Sequence, residues 1–435
     1  QSIFSFVTEQ YGESQMANII TYARMLRNDR EAIEGTLEMT NRDFLKEWRK
    51  YYKDMALETG KEYKMPSKEA RAKKYNVRNV DYYKVKLSPN GNYVAYTQNL
   101  KGRYAVKLVK IKREQPKSSI TEPSDRAIAP FKLSDIDKEM GIEEDTLLGK
   151  EQGEATDRPS EQPKVSFSRK KTINRGGNNL VNQKVNFNIP LIAWKNNNHI
   201  AVMVKKNNRH ILKTYNANGI LKSRTKIYNF NQILDFNYSA DDNLIVLSAE
   251  RNGQSDLFEY DTRRAKTRVI TNDMYDDLNP AYVRGSKNIV WSSNRHNDTL
   301  GVDAGRFRLL GTNLDLFLYE PEKSATVLKR ITNTIDNETK PVVYDAHTIL
   351  CLSDKTGILN VNKLDLADTL HKGLQITNNV GSFRDYDVNA SANGITYVTV
   401  NMGKERVFFE PLELNQTFET TKTARKERME EQHRM

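Results

Sequence analysis

One unit recurs from about residue 78 to residue 414, and that recurrence limits the chain to very few folds. Each copy has an Asp or Pro entering a first strand, a Ser/Asn/Asp/Gly turn, a β-rich second strand, a charged tip, and a further strand ending near Thr-Asn. The clearest copy is Ile233–Thr271, ILDFNYSADDNLIVLSAERNGQSDLFEYDTRRAKTRVIT. The inner turns fall near Pro89, Asn196, Ala240, Gly285, Asp345 and Ala392. A repeat of roughly 45 residues built from several short strands is the signature of a β-propeller, with one antiparallel sheet per blade. The expected fold is therefore mainly β, a six-bladed propeller over residues 78–414 with a short N-terminal α-helical segment. Two intervals between turns exceed the period, which places insertions at Glu114–Asn186 and Asn297–Asn313. Residues 114–164 are rich in Glu, Asp, Lys, Ser and Pro and cannot bury enough apolar surface to offset chain ordering, so they read as a largely flexible insertion.

The second strand of each unit is a continuous apolar run, as in Tyr93–Tyr96, Ile200–Val204, Leu244–Leu247, Ile289–Trp291 and Ile349–Leu352. Continuous rather than alternating apolar character suits a strand buried on both faces between two blades. Tyr96, Trp194, Leu247, Trp291 and Leu352 are the expected interblade residues. The third strand alternates, as in Asp256–Asp261, with one face covered and one wet.

Residues 1–58 follow a helical period, with Phe4, Val7, Tyr11, Ile19, Tyr22, Ala23 and Leu26 on apolar faces and Gly12 as a breaker. A last amphipathic helix carries Phe44, Leu45, Trp48, Tyr51 and Tyr52, with Asn41 expected as its N-cap. The chain opens on Gln1, inside helical periodicity, which suggests the edge of a larger domain or a processed terminus. Residues 59–77 read as a basic linker, and residues 415–435 as a polar tail.

Two resemblances attach to these residues. Phe4-Ser5-Phe6-Val7-Thr8-Glu9-Gln10-Tyr11-Gly12 with Phe44-Leu45-Lys46-Glu47-Trp48 resembles the helical tail of MA-like (gluzincin) metallopeptidase domains. Leu87-Ser88-Pro89-Asn90-Gly91-Asn92-Tyr93-Val94-Ala95-Tyr96 resembles the "S-P-D-G-x-x-I-A-F" blade motif of TolB-like, WD-type propellers. Trp291-Ser292-Ser293-Asn294-Arg295 resembles the "F-x-S-x-R" tip of those blades. A peptidase tail running into such a propeller resembles large cell-envelope proteins of Bacteroidota-type bacteria. The TolB likeness implies a periplasmic, outer-membrane-associated location.

The chemistry expected of a gluzincin does not follow. That site needs His-Glu-x-x-His on one helix face to hold zinc and activate water. None of the six histidines, His199, His210, His296, His347, His371 and His433, is followed by Glu or paired at i, i+4. No G-x-S-x-G elbow or P-loop occurs, and Arg175-Gly176-Gly177-Asn178-Asn179 reads as a flexible turn. Cys351 sits in an apolar strand and reads as a small core residue. No catalytic residue, cofactor or metal is expected in this chain.

Asp81, Asp235, Asp277 and Asp385 fall where strands enter the axis, which makes them candidates for a ring at the tunnel mouth able to hold a cation. Turn and cap hydrogen bonds are the alternative for the same four residues. In the second insertion, Phe307, Leu309 and Leu310 are a candidate partner-docking patch, or else tuck against the neighbouring blade. A formal charge of +12 from 68 basic and 56 acidic residues permits attraction to polyanions, but no nucleic-acid module is present. No run of 18 apolar residues exists to span a membrane.

The leading expectation is a non-catalytic protein-interaction scaffold in a bacterial envelope assembly. The alternatives are the regulatory half of a zinc metallopeptidase whose active site lies upstream, and a glycan- or lipid-binding envelope module.

Overall fold

In a computed structural model of the chain, the described residues are 2–61, 63–72, 80–113, 165–168, 170–177, 188–301, 313–368, 373–401, 403–419, 422–423, 426–427 and 430–431. Residues 112–166 form a separate unit, described only at its two ends. The rest holds the helices and six antiparallel sheets in blade order. Blade 1 comprises Asp81–Leu87, Tyr93–Leu100, Arg103–Arg113, Val165–Phe167 and Lys171–Gly176. Blade 2 is Leu191–Asn196, His199–Lys206, Arg209–Asn216 and Leu221–Ile227. Blade 3 is Gln232–Tyr238, Leu244–Arg251, Gln254–Asp261 and Lys266–Val269. Blade 4 is Asp277–Tyr282, Ile289–Ser293, Asp315–Tyr319 and Leu328–Arg330. Blade 5 is Glu338–Val343, Thr348–Ser353, Asn360–Asp365 and Leu374–Gln375. Blade 6 is Phe383–Asn389, Gly394–Asn401 and Lys404–Pro411. The six-bladed expectation holds, and all six turns read from the sequence join the first and second strands of their blades.

The second strands carry the burial that their apolar runs required. Tyr96, Leu247 and Trp291 are fully buried, Leu352 nearly so, and Trp194 is also buried. The apolar core is a series of wedges between neighbouring blades. One joins Ala201, Met203 and Leu212 of blade 2 to Phe236, Leu247 and Phe258 of blade 3. Another joins Leu350 and Val361 of blade 5 to Tyr386, Tyr397 and Phe408 of blade 6. A recurrent latch fixes the third strand to the chain leaving the fourth. In blade 3 the Leu257 amide donates to Thr271 Oγ1 at 2.8 Å, and the Asp273 amide donates to Asp256 Oδ1 at 3.2 Å. Blade 4 repeats this with Leu316 to Thr332 at 2.8 Å and Thr334 to Asp315 at 3.2 Å. Blade 5 repeats it with Val361 to Thr377 and Asn379 to Asn360, both at 2.8 Å.

Of two segments expected as coil, one is a strand and the other bridges to one. Arg175 and Gly176 pair with blade 1, where the Tyr104 ring fills the space that a Cβ at Gly176 would need. Within the expected basic linker, residues 70–72 line the free edge of blade 6. The Phe409 amide donates to Ala70 O at 2.8 Å, and the Ala72 amide donates to Val407 O at 3.0 Å. Chain preceding blade 1 thus supplies the outer edge of the last blade, and Ala70 and Ala72 are buried there. Residues 302–312, which include Phe307, Leu309 and Leu310, lie outside the described residues, as do residues 114–164.

At the N-terminus there are four helices: α1 Ser2–Tyr11, α2 Glu13–Leu26, α3 Asp29–Leu37 and α4 Asn41–Gly60. Phe6, Val7, Met16, Ile19 and Phe44 form their core. Phe4 is exposed instead, because the helix turns Phe6 and Val7 inward. The cap of α4 is Thr40 rather than Asn41: its Oγ1 accepts from the Asp43 amide at 3.2 Å.

Candidate functional site

The first strands of all six blades face a central channel, and its shape follows from a defect they share. In blades 1, 4 and 5 the pairing register slips between Tyr83 and Val85, Leu278 and Ala281, and Thr339 and Val342. A bulge leaves one residue unopposed and re-aims its side chain. Lys84, Asn279 and Lys340 sit at these bulges with φ of 42°, 53° and 51°, conformations that cost free energy for residues with a Cβ. Asn279 and Lys340 each precede a proline (Pro280, Pro341), which has no amide to lose from the ladder.

Those re-aimed side chains narrow the channel. Lys84 Nζ lies 2.7 Å from Asp235 Oδ2, which also accepts from Asn279 Nδ2 at 2.9 Å. Lys340 Nζ lies 3.0 Å from Asp385 Oδ1, and Lys86 Nζ lies 3.5 Å from Asp387 Oδ1. The same two carboxylates clamp blade 6 to blade 1, accepting from the Val85 and Leu87 amides at 2.7 Å each. At the constriction the free volume falls to about 20 Å³. Burial alone would lower the Lys86 pKa, but the carboxylates of Asp387, Asp385 and Asp235 outweigh it and push the ammonium up to about 12. Burial raises Asp235 and Asp385, yet the lysines around them hold both below the usual carboxylate range. Asp387 goes the other way, raised because burial outweighs Lys86. Three ammonium groups facing three carboxylates make this a narrow, nearly neutral plug.

On one side of the plug the channel widens into a cup of about 480 Å³. Lys86 and Asp387 lie on its wall, and Trp194, Tyr238 and Tyr282 give it aromatic flanks. Asn196 Nδ2 donates to Asp242 Oδ2 at 2.7 Å on the wall. Lys195, half-buried, and Arg284, exposed, line the same cup.

Of the four aspartates picked from the sequence, the structure brings Asp235 and Asp385 to the plug. Asp277 is buried between blades 3 and 4, accepting from Trp291 Nε1 at 2.8 Å and lying 2.8 Å from Arg295 Nη2. Asp81 opens the first strand of blade 1, opposite Asn99, and lines neither space. Sequence reasoning missed Lys84, Lys86, Lys340 and Asp387. Lys84 and Lys86 were signalled by their place among the apolar residues of Asp81–Leu87, and Lys340 by the Lys-Pro at its bulge; Asp387 had no such signal.

A second cluster of carboxylates, Asp256, Asp273 and Asp277, is buried between blades 3 and 4. The Arg295 guanidinium lies among them, 3.2 Å from Asp273 and 2.8 Å from Asp277, with no exposure. The arginine itself supplies the cation these groups require. Burial pushes Asp256 up to about 7 and Asp273 up to about 6, the latter against the pull of Arg295.

No family model matches the chain, and no curated protein matches it, so the peptidase-tail resemblance has no support beyond its own residues. Among solved structures, TolB from Acinetobacter baumannii is similar with 9% identity and a TM-score of 0.39 over 66% of this chain and 52% of that one. A putative TolB from Agrobacterium tumefaciens shows 13% identity and a TM-score of 0.42, over 56% of this chain and 80% of that one. The β-propeller domain of the Trilobed protease from Pyrococcus furiosus shows 9% identity and a TM-score of 0.41, over 80% and 98%. The chain spans about half the length of the A. baumannii structure. The six-bladed assignment rests on the sheets themselves.

Proposed function

We propose that this chain is a protein-interaction module whose wide channel cup receives a segment of a partner protein. The observation that carries the reading is the plug. A cup of about 480 Å³ ends on a ring of Lys84, Lys86 and Lys340 with Asp235, Asp385 and Asp387, so a ligand enters and stops rather than passing through. The cup is built from strands and short turns, which hold it rigid and lower the ordering cost of binding. The partner would belong to a bacterial envelope assembly, in the periplasm near the outer membrane. That location is supported by the TolB resemblance of Leu87–Tyr96 and Trp291–Arg295, and no described helix is long and apolar enough to cross a membrane.

A photo-crosslinking residue at Arg284 or Lys195, expressed in the native host, tests this by mass spectrometry of the adducts. One envelope protein should dominate at both positions, and the adduct at either position should vanish when the other is replaced by Glu. Adducts that are equally abundant at an outer-strand position such as Arg224 would overturn the proposal.

A further inference from the structure

The junctions between blades 3 and 4 and between blades 4 and 5 each carry an acidic residue in the latch and another at the start of the next first strand, and they treat the charge differently. Between blades 3 and 4, Arg295, two residues past the second strand of blade 4, turns inward to Asp273 and Asp277. Between blades 4 and 5, the residue at that place is Lys355, two residues past Ser353, and it is exposed. The junction still holds Asp315, Asp336 and Glu338, all buried, with Asp354 at its edge. Arg330 pairs with Asp315. Glu338 takes hydroxyl donors only, from Thr334 at 2.9 Å and Ser353 at 3.3 Å. The cation for Asp336 and Asp354 comes from far along the chain: Lys426 Nζ lies 2.7 Å from Asp336 Oδ1 and 3.1 Å from Asp354 Oδ1.

The backbone around this notch is shaped for an incoming segment. The Thr423 amide donates to Thr356 O at 2.9 Å, and the Lys426 amide donates to Thr423 O at 2.8 Å, so one turn presents the lysine. Gly357 has a φ of +85°, and a Cβ there would collide with Thr423 Oγ1. Only glycine leaves room for that turn to seat. Upstream, the segment touches the blades at separate points, with the Phe418 amide donating to Gln375 O at 2.9 Å and Lys64 Nζ 5.1 Å from the Phe418 ring.

We infer that the acidic notch between blades 4 and 5 is a docking site for a lysine presented on a helical turn by a partner protein, and that the C-terminal segment occupies it as a self-competing ligand. The site has the form of a receptor: Asp336 and Asp354, which among the described residues pair with Lys426 rather than with a cation of their own blades, and a glycine floor cut to the turn that bears it. The resident occupant is tethered by its own chain. It therefore acts at a high effective concentration, and a competitor must match the same Thr-x-x-Lys turn to displace it. This inference is independent of the channel cup.

The test uses the full chain and a fluorescent peptide of residues 416–435. The Lys426→Met variant should bind the peptide about tenfold or more tightly than the wild type does, because its notch is vacated. Binding should weaken with salt and be lost when the peptide carries Met in place of Lys426. In the wild type, excess peptide should raise amide exchange over residues 416–431 by displacing the resident segment. Equal affinity for the two proteins, no binding by a natively folded variant, or unchanged exchange with the peptide in excess would each overturn the inference. Dimerisation of the wild-type chain through exchanged C-terminal segments would overturn it as well, by making a second copy the occupant. Should Lys426→Met fail to fold, the exchange measurement on the wild type decides alone.

Discussion

The junction between blades 3 and 4 and the junction between blades 4 and 5 begin from one plan and solve the same electrostatic problem in opposite ways. Both have an aspartate in the latch, Asp256 or Asp315, and an acid opening the next first strand, Asp277 or Glu338. The first junction buries an arginine from its own blade tip against two carboxylates with no exposure. The second leaves its tip lysine in water and borrows Lys426 from the C-terminal segment. An ion pair closed within one blade is a fixed part of the core. A pair closed by a distant segment is conditional on that segment staying put, which turns the same charge pattern into a place where something can dock.

Removing the fixed cation should have the largest effect. Arg295→Ala leaves Asp273 and Asp277 buried without a cation, and breaking a buried pair from one side costs about 3–5 kcal/mol. Chemical denaturation should show that loss. Arg295→Lys should recover only part of it, since an ammonium cannot reach both carboxylates with the guanidinium's fork. A loss below about 1 kcal/mol would mean that the two junctions do not differ in the way described.

The next effect is a pH dependence with an unusual sign. Burial holds Asp256 at about 7 and Glu338 at about 7, both above their unfolded values near 4. The folded chain therefore binds more protons than the unfolded chain between those limits. Stability is greatest on the acid side of the window and falls as pH rises through it, by at most about 1.4 kcal/mol per pH unit per group. Asp273, pushed up to about 6, acts in the same direction. His210, which burial lowers to about 4, opposes them below its ordinary value near 6.5. Asp256→Asn should stabilise the chain at pH 8 by about 1–2 kcal/mol and flatten the profile. Asn360 already fills the equivalent latch position in blade 5, accepting from the Asn379 amide at 2.8 Å, so the amide fits the geometry. Asp315→Asn should destabilise instead, because Arg330 pairs with Asp315. Melting curves of the two variants between pH 5 and 8 would separate these signs.

Lys426→Met comes third, at about 1–2 kcal/mol, because Asp354 stays partly exposed and water can take up some of its charge. The ratio of this loss to that of Arg295→Ala measures how far the second junction depends on its borrowed cation.

How much of this was legible in the sequence follows from the range over which each signal acts. Strand identity and blade count were readable, because a period of about 45 residues and apolar second strands are local patterns. The tip arginine was readable as part of Trp291–Arg295, though not as a buried cation. The plug was half readable. Asp235 and Asp385 stand out at strand entries, while Lys84 and Lys340 do not, because a lysine in a strand reads as solvated unless a bulge turns it inward. Residues 70–72 and Lys426 were the hardest. Their roles depend on partners more than 300 residues and 72 residues away, respectively, and nothing in a basic linker or a polar tail announces such a partner. The Thr40 cap differed from Asn41 by one position, the usual margin at a helix end.

The smallest effect tests the seat and leaves the charge alone. At Gly357, with φ of +85°, alanine meets two penalties at once, a left-handed backbone and a collision with Thr423 Oγ1. The turn Asp354–Gly357 can relieve the collision by releasing the C-terminal segment, so the loss of global stability is bounded by what that segment contributes, about 1–2 kcal/mol. Gly253, at a tip in blade 3 with φ of +87°, has nothing within 4 Å of the place a Cβ would take and serves as the control. Gly253→Ala carries only the backbone penalty of a positive φ, about 1 kcal/mol. Amide exchange then discriminates between them. Gly357→Ala should raise exchange at Thr423 and Lys426 with the propeller strands unchanged, while Gly253→Ala should leave the C-terminal segment protected. Should both variants leave Thr423 and Lys426 protected, the segment does not need the glycine floor, and the notch would be an incidental contact rather than a seat.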